Sequence, residues 1–329
     1  MSTMKLRTSC LVLLMACAVA FPLPGWTAAY PDQPIELVAA GDPGGGLDLH
    51  ARMIDMAMQQ AKLADKPFTI VNKGAGGGNV ATAYMVTQKG SPYSLQVNTN
   101  RVVLNPLNGT TKHTIKDMTP VVRLTTEYEI WVVRADSKYK TVQDVIADLK
   151  KDPKSLPFGI GTAPPCTDQL NVLIPAKAAG VDVKGLKIVA FRGGTDVGTQ
   201  ILGGHIAIGS TSLSELVALV EAGRLRPLVV SSPQRLAKLP NVPTWKESGL
   251  DVVLGHWRGI FGAPDMPKEA NDYWNKKFAQ MAQSKPWKEI LAKNDLQDAF
   301  LPGDKFKAEL DKDAVLYKEL LGALGMLKQ

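Results

Sequence analysis

Cysteine is scarce in this chain of 329 residues: there are three. Two of them, Cys10 and Cys17, lie in an N-terminal stretch that reads as a leader. The remaining thiol, Cys166, cannot close an internal bridge, so stability must come from core burial even in an oxidising compartment. No long apolar run occurs after residue 29, and the run Cys10–Phe21 is itself shorter than the roughly 20 residues that span a bilayer. Runs of five like charges are absent, as are basic stripes and nucleic-acid motifs, which excludes nucleic acid as a partner. The four histidines, His50, His113, His205 and His256, lack H-x-x-x-H or H-E-x-x-H spacing. No metal site is therefore expected, and each histidine reads as a surface or packing residue. Neither G-x-G-x-x-G, nor G-x-x-x-x-G-K-[ST], nor a G-x-S-x-G elbow is present, so nucleotide fingerprints and the hydrolase elbow are excluded. No repeat or low-complexity segment interrupts the chain.

At the N-terminus are a charged start (Lys5, Arg7), the apolar run, the breakers Pro22, Pro24 and Gly25, and then Thr27-Ala28-Ala29. Small residues at −3 and −1 predict a secretory signal peptide over 1–29, cleaved after Ala29, and hence export to the periplasm. Ala16-Cys17 offers a lipoprotein start instead, although Met15 suits that pattern poorly. Loss of Lys5 and Arg7 lowers the formal charge from +7 to +5, a mild bias that helps draw in anions. The remaining chain is long for one core and predicts two domains.

Short apolar runs alternate with helical patterns, the mark of an α/β fold. Strands are expected at Ile35–Ala39, Phe68–Val71, Leu95–Asn98, Glu129–Arg134, Pro157–Ile160, Lys187–Phe191, His205–Gly209 and Arg226–Ser231. Helices are expected from Leu47, through Val80–Val86, from the capping box Thr141–Asp144 to Lys151, and near 166–179, 195–202 and 213–222. Ser212–Glu215 reads as a second capping box. From Pro267 the pattern is helical to the end, with Tyr273, Trp274, Phe278 and Met281 on a buried stripe.

Two strand–turn–helix units carry most of the local information: Gly41-Asp42-Pro43-Gly44-Gly45-Gly46-Leu47-Asp48 and Gly74-Ala75-Gly76-Gly77-Gly78-Asn79. Glycine lets backbone N–H groups approach a ligand, and the helix behind such a turn presents about half a positive charge, so the pair can seat a carboxylate or phosphate. Such glycines also serve merely as tight turns. Two in succession, with similar units at Gly159–Thr162 and Arg192–Thr195, favour a site. Cys166 reads as an inert or ligand-lining thiol, with a nucleophile in a secreted hydrolase or transferase as the alternative. Arg101 and Arg258 could each clamp a carboxylate in bidentate fashion or make an ordinary salt bridge, and Arg258 could also support a hinge. Asp48 suits helix capping or ordering of water, a ligand ammonium or a hydroxyl, because a carboxylate would repel it.

The stretches PDQPIELVAAGDPGGGLDLHAR, NKGAGGGNVATAYM, KIVAFRGGTDVGTQILGGHIAIG, AGRLRPLVVSSPQRLAKLPNVPTWKESGLD and HWRGIFGAPDMP resemble, in order, the Bug/TctC-type solute-binding receptors of tripartite tricarboxylate transporters. VVRADSKYKTVQDVIADLKKDPKSLPFGIG and the Trp-Arg-Gly element are closest to the tricarboxylate-binding branch. The resemblance implies two Rossmann-like lobes joined by two crossing strands, with a ligand cleft between them. Lobe one would take 30–125 plus 256–329 and lobe two 126–255, with crossings near Thr125–Ile130 and Val252–His256. It implies a carboxylate held by Pro43, Gly44, Gly45, Gly46, Asp48, Gly76, Gly77 and Asn79, with Asn98, Thr99 and Asn100 lining the same cleft. Its far end would meet Gly161, Thr162, Thr167, Gly193, Gly194, Thr195, Ser210, Thr211 and Ser212. Many members carry serines and a histidine where this chain has Ala163–Asp168, and Tyr-Lys-Gly where it has Phe191-Arg192-Gly193, so ligand identity does not transfer. The expectation is a monomeric, non-enzymatic receptor without cofactor or metal. It would capture a small di- or tricarboxylate and deliver it to the transporter's membrane permease. Alternatives are presentation of ligand to a membrane sensor kinase, or binding of an aromatic carboxylate.

Overall fold

A computed structural model describes residues 30–328; the expected signal peptide lies outside them. The first unit is β1 (Ile35–Ala39), α1 (Gly46–Gln60), β2 (Phe68–Asn72), α2 (Asn79–Thr87), β3 (Ser94–Thr99) and α3 (Arg101–Asn108). β1 pairs in parallel with both β2 and β3. Their apolar residues meet α1 in a core that includes Leu37, Val38, Ile54, Met58 and Val97. α3 was not anticipated. Its short apolar run, Val102–Leu104, is buried, and Gly109, at φ 75°, ends the helix in the left-handed conformation that favours glycine.

The long strand β4 (Thr119–Arg134) extends ten residues N-terminal to the expected start. Along Thr119–Tyr128 it pairs antiparallel with β9 (Gly255–Gly262), and along Glu129–Arg134 with β7 (Ile208–Ser212) and β8 (Leu225–Val230). β9 also pairs with β3. The second unit holds α4 (Val142–Lys151), β5 (Phe158–Ile160), α5 (Thr167–Ala178), β6 (Ile188–Ala190), α6 (Gly194–Leu202) and α7 (Leu213–Glu221). Parallel β5 lies between β6 and β7. The sheet order β2-β1-β3-β9-β4-β7-β5-β6 therefore sets two parallel trios on either side of the antiparallel pair β4–β9. This is a mixed α/β architecture of the periplasmic-binding-protein type, and each trio aims the carboxyl ends of its strands, where ligands bind in such sheets, at the other.

Three expectations are corrected. β7 starts at Ile208, so Ser210 and Thr211 sit inside the strand rather than beyond it. Ser212 makes no capping bond to α7, because Glu215 reaches across to Gly194 N and Thr211 Oγ1 instead. The C-terminal region is not helical throughout. After α8 (Lys268–Gln283) and α9 (Lys285–Asn294), β10 (Gln297–Pro302) pairs with the edge of β4 before α10 (Gly303–Ala323). Trp274, Phe278 and Met281 are buried and Tyr273 packs against the same core, as their helical spacing predicts. Thr141 and Asp144 form both bonds of a capping box.

Candidate functional site

The two trios meet around a cavity of about 270 Å3. On the first side, β1 ends at Ala39 and its turn delivers Gly45, Gly46 and Leu47 to the wall; the turn after β2 delivers Gly76 and Gly77. Gly76, Gly77 and Gly78 have φ values of 63°, 65° and 85°, three consecutive left-handed residues that only glycine adopts at low cost. The two turns also touch. A Cβ on Gly74 would lie 2.3 Å from Asp42 N, which leaves no room for a side chain. α1 has no side-chain N-cap, so its first-turn N–H groups lack an intrahelical acceptor where Gly46 and Leu47 line the cavity.

Arg101, first residue of α3, is 7 % exposed and packs against Gly77, where a Cβ would come 1.6 Å from its Nη2. Its Nη1 donates to Thr162 Oγ1 and its Nη2 to the Ala163 carbonyl at 2.9 Å. Nε has no hydrogen-bond partner, and no described carboxylate forms an ion pair with this guanidinium. Burial pulls its pKa down. Beside it Asn100 donates to Thr167 Oγ1 at 2.9 Å and Tyr317 Oη at 2.8 Å. Bonds from Asn100 and Arg101 thus tie the end of β3 to the start of α5.

The opposite wall differs in kind from the expected anion seat. Gly161 N donates to Asp168 Oδ2 at 2.7 Å, and Gly194 N to Glu215 Oε1 at 2.9 Å. Turn amides expected to face a ligand here are occupied by the chain's own carboxylates. Arg258 on β9 pairs through Nε with Glu127 Oε1 at 2.7 Å, both side chains buried, and lines the cavity beside Gly46. Burial raises the Glu127 pKa, but Arg258, His256 and Ser214 outweigh it and hold the group at about 2. Behind this pair Glu129 Oε1 lies 2.8 Å from His256 Nδ1. Burial, with the charges of Glu127 and Glu215, pushes Glu129 well up, while burial and Arg258 push His256 down to about 4. Both shifts disfavour an ion pair at this contact, and neither atom has a well-directed hydrogen bond. Asp168 is likewise raised, by burial and by Glu129 and Glu215.

Of the expected residues, Gly45, Gly46, Gly76, Gly77, Thr99, Asn100, Arg101, Gly161, Thr162, Cys166, Thr167, Ser212 and Arg258 line the cavity. The others do not. Pro43 and Gly44 are exposed. Asp48 accepts from Gly44 N at 2.9 Å, Asn72 at 3.0 Å and Arg52, binding its own turn together. Asn79 and Asn98 bound a smaller recess behind Arg101. Gly193 packs against Gly45, and Thr195 reaches the Gly44 carbonyl at 3.3 Å, so these residues bridge the two turns. Gly194 is tied to Glu215, Thr211 donates to Glu215, and Ser210 donates to the Asp168 carbonyl. Cys166 is buried, and burial raises its thiol pKa, contrary to what a nucleophile needs. The sequence reading missed Asp168, Glu215 and His256 as wall residues, with Glu127 and Glu129 behind them. No motif marks them; they come from four separate segments, β4, α5, α7 and β9, brought together by the strand crossing.

The chain matches the family described as tripartite tricarboxylate transporter family receptor over residues 51–316. It is 25 % identical over 312 residues to the "UPF0065 protein in gbd 5'region" of Cupriavidus necator, covering 94 % of this chain and 93 % of that protein. It is 21 % identical to Protein BugT of Bordetella pertussis over 85 % of each chain. Among solved structures, a TctC solute-binding protein from Polaromonas is 28 % identical, with a TM-score of 0.65 over 89 % of this chain and 99 % of that one. An R. palustris protein solved with adipate, 21 % identical, has the same fold, with a TM-score of 0.83 over 90 % and 98 % of the two chains. With that family match spanning most of the chain, this protein belongs to the tripartite tricarboxylate transporter receptors, which bind solutes and are not enzymes.

Proposed function

We propose that this protein is a periplasmic receptor that captures a small di- or tricarboxylate in the cavity and delivers it to the membrane permease of a tripartite tricarboxylate transporter. One observation carries the reading. Arg101 is a buried guanidinium on the cavity wall without a paired carboxylate among the described residues. A buried charge needs a counter-charge, and an organic anion in the cavity supplies one. Gly46, Leu47, Gly76 and Gly77 line the same side, where backbone N–H groups can donate to a carboxylate. Two solved structures of the same fold hold adipate and malate, which are of this class. Phe191 is the one aromatic residue among the described lining residues, which favours an aliphatic acid over an aromatic one.

The division into lobes 30–125 plus 256–329 and 126–255 is part of the proposal. β4 changes partners between Tyr128 and Glu129, and Ser231 ties Glu129 to Leu254 just before β9. A hinge there would let Arg101 and Asn100 leave Thr162 and Thr167 and open the cavity. No described helix is long and apolar enough to cross a membrane.

Calorimetry of the mature chain against a panel of aliphatic di- and tricarboxylates tests the reading, with Arg101→Gln as the companion variant. Binding without turnover is expected. Truncating one member of a buried charge pair costs about 2–5 kcal/mol, so the variant should bind at least about thirty-fold more weakly. A wild-type protein indifferent to every acid, or a folded variant with unchanged affinity, would remove the proposal.

A further inference from the structure

The direct bonds of the Arg101 guanidinium all run one way. Nη1 donates to Thr162 Oγ1 and Nη2 to the Ala163 carbonyl at 2.9 Å, both across the cavity on the second side. Nε, although buried, has no partner among the described residues. A recess of about 10 Å3 adjoins Arg101 on its own side, bounded by Asn105 on α3, the Gly77–Asn79 turn, Thr111 and His113. Asn105 stands one helical turn after Arg101 and is 3 % exposed. Its Nδ2 donates to Asn79 Oδ1 at 2.6 Å and to the Gly77 carbonyl at 3.3 Å, which fixes the orientation of the amide. Oδ1 is left as a buried acceptor without a donor. The recess therefore joins one unmet donor to one unmet acceptor, and each costs stability while it stays unmet.

We propose that the recess binds one ordered water that accepts from Arg101 Nε and donates to Asn105 Oδ1, which makes Asn105 a positioning residue for the anion-binding guanidinium. The dimensions agree, since one water needs about 10–15 Å3 and two to four polar partners. A small anion fits less well: it would accept from Nε but meet the lone pairs of Asn105 Oδ1. Water satisfies both groups, and holding it costs less than leaving them unmet. The inference rests on the receptor reading above, in which Arg101 meets the ligand, and it adds how that side chain is kept ready. Thr162 and Ala163 would depart with the second side when the hinge opens, and the direct bonds with them. The water, Asn105 and Gly77 all belong to the first side and would stay. A guanidinium held in this way has less rotamer freedom to lose when an anion arrives.

Nuclear magnetic resonance of the isotope-labelled, ligand-free mature protein reads the Arg101 Nε–H directly. That proton should exchange slowly with solvent and show cross-relaxation to a long-lived water. Crystals of the same protein should hold one water within hydrogen-bonding distance of Arg101 Nε and Asn105 Oδ1, and a bromide soak should leave the recess unlabelled. In Asn105→Leu the Nε–H should exchange at least about ten-fold faster, and the dicarboxylates malate, succinate and adipate should bind about ten-fold more weakly, the worth of one hydrogen bond to a charged group. A variant that loses stability alone, with the Nε–H still protected and affinity kept, would reduce Asn105 to a structural residue and overturn the proposal. Bromide in the recess, or no water at Nε in the wild-type protein, would overturn it too, and that measurement stands even if the variant fails to fold. A wild-type protein that binds no acid of the panel yet shows the bridging water would remove the receptor reading and leave the water site in place.

Discussion

Gly77 and Arg101 define the site at the scale of single residues, and each explains the other. The guanidinium packs where a Cβ on Gly77 would stand, and Gly77 adopts φ 65°. Gly77→Ala should therefore act twice. The left-handed strain costs about 1 kcal/mol of stability, and displacement of Arg101 should abolish ligand binding. Denaturant titration and calorimetry on the same sample separate the two effects; a variant with wild-type affinity would show that the guanidinium is not an anchor. The Gly76–Gly78 run was legible in the sequence because glycine clusters have few other uses. Glu215 was not, because its local spacing from Ser212 imitates a capping box, whereas its real partners are Gly194 and Thr211.

Elements behave as their local chemistry dictates wherever that chemistry is self-sufficient. The Thr141–Asp144 box caps α4 with both of its bonds formed. Thr141→Ala is expected to lower stability by about 1 kcal/mol without changing ligand affinity. The readout is the urea midpoint beside a binding isotherm, and a changed affinity would link α4 to the site unexpectedly. β10 shows the opposite case. Gln297–Pro302 is largely exposed or half-buried and becomes a strand because the edge of β4 is available to pair with it. Strand propensity of this kind depends on neighbours, so periodicity alone could not find it. β4 itself was half-read: its Glu129–Arg134 end is apolar and fully recognisable, while Thr119–Tyr128 mixes polar and apolar residues to suit two different sheet environments.

Across the whole molecule, folding gathers groups that water would keep apart. His50 on α1 is buried against Trp287, and burial, with the nearby charges of Arg258 and His256, outweighs Glu127 and depresses its pKa to about 3. In the unfolded chain it returns to about 6.5, so between those values only the unfolded state takes up the proton. The contribution of neutral His50 is present above about pH 6.5 and is lost as pH falls towards 3. Glu129 and Asp168, raised by burial, work in the other direction, so the clean measurement is a difference. Wild-type stability relative to His50→Leu should rise with pH by about 1.4 kcal/mol per unit between roughly pH 4 and 6. Parallel stability profiles for the two proteins would show that His50 titrates normally.

Periodicity, glycine clustering and the spread of family motifs were enough to determine an α/β chain with two sets of strand–turn–helix units and the glycine turns that reach the cavity wall, because each of those features lies within a few consecutive residues. The cluster of acidic side chains around the second side of the cavity was decided only by the tertiary structure. Glu127 and Glu129 on β4, Asp168 on α5, Glu215 on α7 and His256 on β9 become neighbours because two strands cross between the trios. The shifted proton affinities of Glu127, Glu129, Asp168 and His256 arise from mutual charge and shared burial, and neither exists until the chain has closed around them.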